Sequence, residues 1–244
     1  MAIQTVFRRY ELKYLLDPAQ KAAVLAALDG RMALDGYGRT TIRNLYFDTD
    51  SYRLIRQSIE KPVYKEKLRV RSYRQVGPGE PVFVELKKKY KKVVYKRRLV
   101  MPEADAVDWL CAGNTPAIHS QIEEEIEYFR RFYAPLRPVV FLSYEREAFA
   151  PLPEAEVPDG FRVTFDENIL ARPDRLSLEA EVGGEPLLEA GKTLMEIKTG
   201  GGIPLWMVDV LTREGIYKTS FSKYGAYYEN KILHQSETGR VKLC

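Results

Sequence analysis

The chemistry in this chain is concentrated in Tyr64-Lys65-Glu66-Lys67-Leu68-Arg69-Val70-Arg71-Ser72-Tyr73. Alternate side chains of a strand share a face. Lys65, Lys67, Arg69 and Arg71 therefore project together, and Glu66, Leu68, Val70 and Ser72 project the other way. Four like charges this close repel one another unless water or an anion meets them. A solvated outer face answers that demand, and so does an anion-binding face. Arginine recurs at alternating positions elsewhere, at Arg9, Arg146 and Arg162, and its planar guanidinium suits bidentate contact with phosphate oxygens. Among the cations stand Glu11, Glu85, Asp166 and Glu196. Each is either a salt-bridge partner that holds arginines apart or a hard oxygen ligand for a divalent cation beside a phosphate chain.

The elements that must position these residues are strands with one apolar and one charged face. They are expected at Thr5–Leu16, Thr40–Asp50, Tyr64–Tyr73, Pro81–Lys89, Lys91–Val100, Pro138–Phe149, Phe161–Asp166 and Thr193–Lys198. Asp17-Pro18 reads as an N-cap and first helical position, opening a helix to about Leu28. Further helices are expected at Ser51–Ile59 (carrying Arg53 and Arg56), Ala104–Cys111, Ser120–Tyr133 and Pro204–Arg213, with a last one after Tyr224 toward Leu233. Gly77-Pro78-Gly79 marks a hairpin turn. The pattern predicts an α+β fold dominated by an antiparallel β-barrel, with a cation-lined interior and helices outside.

The 244 residues read as one domain, 1–244, with a core of about residues 5–233. The net charge is only +4, but it is unevenly spread. Lys65 to Arg98 holds 13 Lys or Arg against 3 Glu, whereas Pro102 to Glu189 holds 19 acidic residues against 7 Arg. A polyanionic partner is thus expected at the first region only. Two cysteines, Cys111 and Cys244, and two histidines, His119 and His234, give neither a disulfide framework nor a zinc spacing. Gly200-Gly201-Gly202 lacks the Gly-Lys-Ser/Thr of a nucleotide-binding loop. An exposed basic ribbon at Lys87 to Arg98 would suffice for nucleic acid, but no nucleic-acid partner is expected. No apolar run reaches membrane-spanning length, and a cytoplasmic location is expected.

Eight segments, in order, carry a family resemblance: Phe7-Arg8-Arg9-Tyr10-Glu11-Leu12-Lys13-Tyr14, Leu45-Tyr46-Phe47-Asp48-Thr49, Lys67-Leu68-Arg69-Val70-Arg71, Phe83-Val84-Glu85-Leu86-Lys87, Ser143 to Phe149, Phe161 to Asp166, Glu196-Ile197-Lys198 and Phe221-Ser222-Lys223-Tyr224. The chain resembles the VTC domain, the catalytic domain of the vacuolar transporter chaperone complex, which has stand-alone bacterial relatives. That domain is a triphosphate tunnel metalloenzyme. The resemblance implies a polyphosphate polymerase that passes the γ-phosphoryl of ATP to inorganic polyphosphate, with Mn²⁺ or Mg²⁺. By motif match, Arg69, Arg71, Lys87, Arg146 and Arg162 would act on the phosphates, Lys13, Ser222 and Lys223 would bind them, and Glu196 would hold the metal. Arg53, Arg56 and Lys218 match too loosely to assign. Hydrolases of the superfamily begin with Glu-x-Glu-x-Lys, and here the first Glu is Arg9. An inorganic triphosphatase or polyphosphatase, or a silent polyphosphate-binding module, is the alternative. Any export of product would need a membrane partner protein.

Overall fold

The computed structural model describes residues 10–91, 93–114, 116, 119–158 and 160–233. The start of the first strand, Arg9, Lys92, His234, Cys244 and the tail from Ser236 lie outside them. One antiparallel sheet of eleven strands organises the chain. The long strands are β1 (Tyr10–Leu16), β3 (Thr40–Asp48), β4 (Tyr64–Ser72), β5 (Pro81–Tyr90), β6 (Val93–Pro102), β7 (Arg137–Pro151), β8 (Arg162–Arg172) and β10 (Thr193–Thr199). Three short ones, β2 (Met32–Leu34), β9 (Glu185–Pro186) and β11 (Lys218–Thr219), were not expected from the sequence. They are too short to carry a periodicity. The order across the sheet is β11-β1-β10-β8-β7-β3-β4-β5-β6.

The helices are α1 (Pro18–Leu28), α2 (Arg53–Ile59), α3 (Glu103–Ala112), α4 (Gln121–Tyr133), α5 (Leu205–Arg213) and α6 (Lys223–Tyr227), the last continuing as a π-helical segment over Tyr228–Leu233. Local chemistry sets their starts. Asp17 accepts from Gln20 N at 2.8 Å while Gln20 Oε1 accepts from Asp17 N, a reciprocal capping box. Ser120 caps α4 through Glu123 N.

The apolar faces of the strands point outward, under the helices. Leu68, Val70, Val84, Leu86 and Leu99 pack with Trp109 and Leu110 of α3 and Ile126 and Phe129 of α4. Tyr14, Leu16, Val163, Phe165, Met195 and Ile197 pack with Val24 and Leu28 of α1 and Met207 and Val210 of α5. Because strand side chains alternate, burying this face outward turns the charged face inward.

The sheet curls until its charged faces meet. β10, β8, β7, β3 and β4 intervene between β1 and β5. Even so, Lys87 Nζ of β5 lies 3.1 Å from Glu11 Oε2 of β1. A register shift in the β7–β8 pair between Ser143 and Glu145 marks a bulge, which bends the strand. The expected barrel is therefore present as a rolled tunnel. Its closure differs from the expectation: among the described residues the ladder ends at β6 and β11, and side chains rather than a backbone ladder bridge the lumen.

Buried Asp48 at the end of β3 ties the C-terminal segment into this tunnel. It accepts from Thr49 N at 2.8 Å, Leu54 N at 2.9 Å and Ile55 N at 3.0 Å, so it caps α2, and from the Tyr224 hydroxyl at 2.8 Å. Tyr224 also stacks on Tyr46 with centroids 4.9 Å apart. Together these contacts hold α6, with Ser222 and Lys223 at its start, against the concave face. Asp48→Ala strands these donors in a buried site, where each unpaired group costs about 1–3 kcal/mol. Urea denaturation should show a loss of about 3 kcal/mol or more; a loss under about 1 kcal/mol would contradict this role.

Candidate functional site

The inward faces assemble strand by strand. β1 supplies Glu11 and Lys13; β10 supplies Glu196 and Lys198, with Lys13 opposite Glu196 and Glu11 opposite Lys198 in register. β8 supplies Thr164 and Asp166, and β7 supplies Tyr144 and Arg146. β4 supplies Lys65, Lys67, Arg69 and Arg71, β5 Glu85 and Lys87, and β6 Lys96 and Arg98. Ser222 and Lys223 enter from the α6 start. Cations thus outnumber carboxylates in the lumen by more than two to one.

The carboxylates divide the cations into groups. Glu85 is 1% exposed and accepts from Arg69 Nη2 at 2.7 Å and Arg98 Nε at 2.8 Å; Lys96 Nζ stands at 2.7 Å and Arg71 Nη1 at 3.9 Å. Burial alone would raise its carboxyl, but Arg69, Arg71, Lys96 and Arg98 hold it far below the usual carboxylate range. Asp166, fully buried, takes Arg146 Nε at 2.6 Å and Lys223 Nζ at 2.5 Å. Burial opposes its ionisation, Lys223 and Arg146 outweigh that, and the carboxyl sits at about 2. Arg71 also donates to Asn44 Oδ1 at 2.8 Å and to the Tyr144 hydroxyl at 2.9 Å. Burial would raise the Tyr144 phenol; Arg71, Arg146 and Lys223 bring it down to about 8.

A third group has no carboxylate within ion-pair distance. Among the described residues no carboxylate pairs with Lys13, Lys65 or Lys67. Lys13 donates to Phe221 O at 2.7 Å, Lys65 to Ser58 O at 2.9 Å and Lys67 to Ser222 Oγ at 2.8 Å. Burial first, then Lys13, Lys65, Lys87 and Arg69 nearby, push the Lys67 ammonium well below its usual range. Burial likewise brings Lys13 down to about 8. Lys67 thus meets only a neutral oxygen and other cations, and a polyanion in the lumen would supply the counter-charge it lacks; Lys13 is offset in part by Glu196 and Glu11.

Of the sequence-assigned residues, the fold brings together Lys13, Arg69, Arg71, Lys87, Arg146, Glu196, Ser222 and Lys223. Arg162 stands apart at the rim: it is half-exposed and ion-paired with Asp35. Arg53 lies outside the tunnel, stacked over Phe132 and Tyr133 of α4 at 5.4 and 5.1 Å. Arg56 is exposed on α2. Lys218 pairs with Tyr14, whose side chain belongs to the outer core, so its register faces outward. Lys67, Lys96, Arg98, Lys198 and Tyr144 also enter the lumen, although no role was read for them. Parity alone marks most of them: Lys67 precedes Arg69 by two, Lys198 follows Glu196 by two, and Tyr144 precedes Arg146 by two.

For a divalent cation the structure offers Glu11 and Glu196, diagonal neighbours on β1 and β10. The ion-pair partner of Glu196, Lys198, stands at 3.6 Å, beyond hydrogen-bond reach, which leaves carboxylate oxygens available. Burial opposes the Glu196 charge, yet Lys198, Lys13 and Arg146 keep it ionised well below the usual range. No cluster of three or more His, Cys, Asp or Glu is present among the described residues. Two carboxylates fit Mg²⁺ or Mn²⁺ held jointly with substrate phosphates, since Mg²⁺ sites commonly combine one or two carboxylates with phosphate oxygens and water.

The family model of the VTC domain matches residues 8–230. The chain belongs to the VTC domain family. The fold of this VTC domain recurs in solved structures. One, a Bacillus halodurans protein provisionally assigned as an adenylate cyclase, is 14% identical with a TM-score of 0.53, over 88% of this chain and 96% of that one. Another, a Hippeastrum protein provisionally assigned as an adenylyl cyclase and described as having a dominant triphosphatase activity, is 16% identical with a TM-score of 0.55, over 91% and 96%. At these identities the likeness is one of fold. No curated protein sequence matches the chain. Among the described residues no helix is long and apolar enough to cross a membrane.

The lumen titrates in a way that binding should report. As pH rises through about 8, Lys13 loses its positive charge and Tyr144 gains a negative one. Both changes weaken anion binding. Calorimetry with metal-free ATP should show affinity falling above pH 8, by up to about ten-fold per pH unit for each of the two protons. Lys13→Arg, which stays charged, should make the profile shallower and leave only the Tyr144 step. An affinity unchanged across this range would remove Lys13 from the anion site.

Proposed function

We propose that this VTC domain is a metal-dependent polyphosphate polymerase working inside the cation-lined tunnel. The observation that carries the reading is the group of half-buried lysines, Lys67 above all, that meet neutral oxygens rather than carboxylates at hydrogen-bond distance, beside two carboxylates fit for a hard cation, in a chain of this family. ATP and inorganic polyphosphate are the substrates. An ionised terminal oxygen of the polyphosphate attacks the γ-phosphorus of ATP. The new P–O bond forms as the bond from the γ-phosphorus to the β,γ-bridging oxygen breaks, and ADP leaves with the electron pair. The acceptor is already ionised, so no general base is required.

Catalysis then rests on alignment and charge neutralisation. Lys13, Lys67 and Ser222 hold the phosphates on one side, while Arg146 and Lys223, fixed by Asp166, face them from another. Arg69 and Arg71, fixed by Glu85, extend the same path. Arg162 would meet phosphate at the rim. Glu196, with Glu11, would hold Mn²⁺ or Mg²⁺, which supplies charge neutralisation and orientation of phosphate oxygens. Triphosphate or polyphosphate hydrolysis is the second reading, favoured by the triphosphatase activity described for the Hippeastrum protein. Water would then replace the polyphosphate acceptor.

Incubation with ATP and Mn²⁺ or Mg²⁺, with products resolved on a polyphosphate-stained gel, separates the readings. The polymerase gives long chains and ADP; free phosphate without polymer supports hydrolysis; no turnover contradicts both. Arg69→Ala should cut turnover by on the order of a hundred-fold. The fold should survive, because Glu85 keeps Arg71, Lys96 and Arg98 as partners. Glu196→Gln should abolish metal-stimulated turnover; full activity in either variant removes that residue from the site.

A further inference from the structure

The inward face carries one buried oxygen that the tunnel's own side chains leave unused. Thr164 of β8 is 1% exposed, and its Oγ1 has no hydrogen-bond partner among the described residues. Three other buried side-chain atoms share that condition: Arg43 Nε, Ser143 Oγ and Trp206 Nε1. Arg43 and Ser143 alternate with the lumen residues Asn44 and Tyr144 and so point away from the lumen, and Trp206 sits on α5. Thr164 alone of the four lies on the tunnel face, two residues before Asp166. The buried threonines of β10 show the usual outcome. Thr193 donates to Glu167 Oε1 at 2.8 Å and Thr199 to Gly202 O at 3.0 Å. A buried hydroxyl left unpaired gives up its hydration without return, so its presence calls for a reason other than the stability of the fold.

Its setting supplies the reason. Thr164 stands directly opposite Glu196 of β10 and, on its other side, opposite Ala148 of β7, which offers no polar group. Glu196 is 7% exposed, and Lys198 at 3.6 Å is the nearest polar group to its carboxylate among the described residues. Residues directly opposite on neighbouring strands bring their Cβ atoms to about 4.5–5.5 Å. A hydroxyl and a carboxylate are therefore neighbours here, and neither has the other as a partner. Glu11, diagonal to Glu196 on β1, adds a second carboxylate. Three hard oxygen donors thus lie side by side across the adjacent strands β1, β10 and β8. A Ser or Thr hydroxyl beside carboxylate and phosphate oxygens is a recurrent Mg²⁺ ligand.

We propose that Thr164 Oγ1 is a third protein ligand of the divalent cation, beside Glu196 and Glu11, and that the chain keeps an unpaired buried hydroxyl for this purpose. This rests on the reading of Glu196 as a holder of the cation. A neutral oxygen adds a ligand without adding negative charge, whereas a third carboxylate would repel the phosphates that share the same ion. The position opposite Glu196 favours the cation over a phosphate oxygen as the partner of the hydroxyl, because the carboxylate repels the second and attracts the first.

Thr164→Val keeps the shape of the side chain and removes the oxygen; Thr164→Ser keeps the oxygen. Calorimetry with inorganic tripolyphosphate, once in Mn²⁺ and once in EDTA, reads the cation's share of binding. Thr164→Val should lose about ten-fold in affinity in Mn²⁺, the scale on which metal sites respond to loss of a supporting group, with the loss absent in EDTA. Thr164→Ser should bind as the natural chain does in both. In EDTA, Thr164→Val should also melt at or above the temperature of the natural chain, because an apolar group replaces an unpaired polar one. Full affinity of Thr164→Val in Mn²⁺ overturns the proposal. So does an equal loss in Mn²⁺ and EDTA, which marks a hydroxyl that meets phosphate, or a lower melting temperature, which marks one that serves the fold. In these cases the Glu196 reading stands as long as Glu196→Gln loses the gain from Mn²⁺. A natural chain that gains nothing from Mn²⁺ overturns the Glu196 reading and the proposal with it.

Discussion

Like charges confined on one concave surface are the constraint from which the rest of the structure follows. At an effective dielectric constant of about 20, two unit charges 4 Å apart interact with about 4 kcal/mol. In the lumen of this VTC domain Lys67 has Lys13, Lys65, Lys87 and Arg69 as neighbours, each of which disfavours its charge. Glu85 and Asp166 lie buried at the centres of cation groups and each accepts charge-assisted hydrogen bonds from more than one element. They fix arginine geometry as well as lowering repulsion. The remaining surplus centres on Lys67, and folding must sustain it.

The outer layer is what sustains it. Apolar strand faces buried beneath α3 and α4 on one side, and α1 and α5 on the other, commit each strand to a single orientation. A one-residue slip would place lysines and arginines under the helices and leucines in the lumen. The hydrophobic burial of the outer faces therefore enforces the electrostatically unfavourable inner face. Asp48 adds a polar tie, capping α2 and holding Tyr224, so that Ser222 meets Lys67.

Much of this was legible in the sequence because period-two alternation is a direct record of which way side chains point. Strand limits at β3, β4 and β5, and the inward direction of Lys13, Arg69, Arg71, Lys87, Arg146 and Glu196, followed from it. The helix start at Asp17 followed from capping chemistry. What alternation does not record is depth along the tunnel. Arg162 shares parity with Asp166 but sits at the rim beside Asp35, because four residues along a strand carry it to the mouth. Nor does it record how the sheet closes: that Glu11 meets Lys87 across the lumen depends on curl accumulated over the intervening strands.

The central claim is that the surplus cations of the lumen are the seat of a phosphate chain. The most direct measurement is a crystal structure of the protein grown with inorganic tripolyphosphate. The account predicts a phosphate chain inside the curled sheet, in contact with Lys13, Lys67 and Arg146. Phosphate bound instead on the outer basic face of β5 and β6, around Lys88 and Arg97, with the lumen holding only solvent, would contradict it.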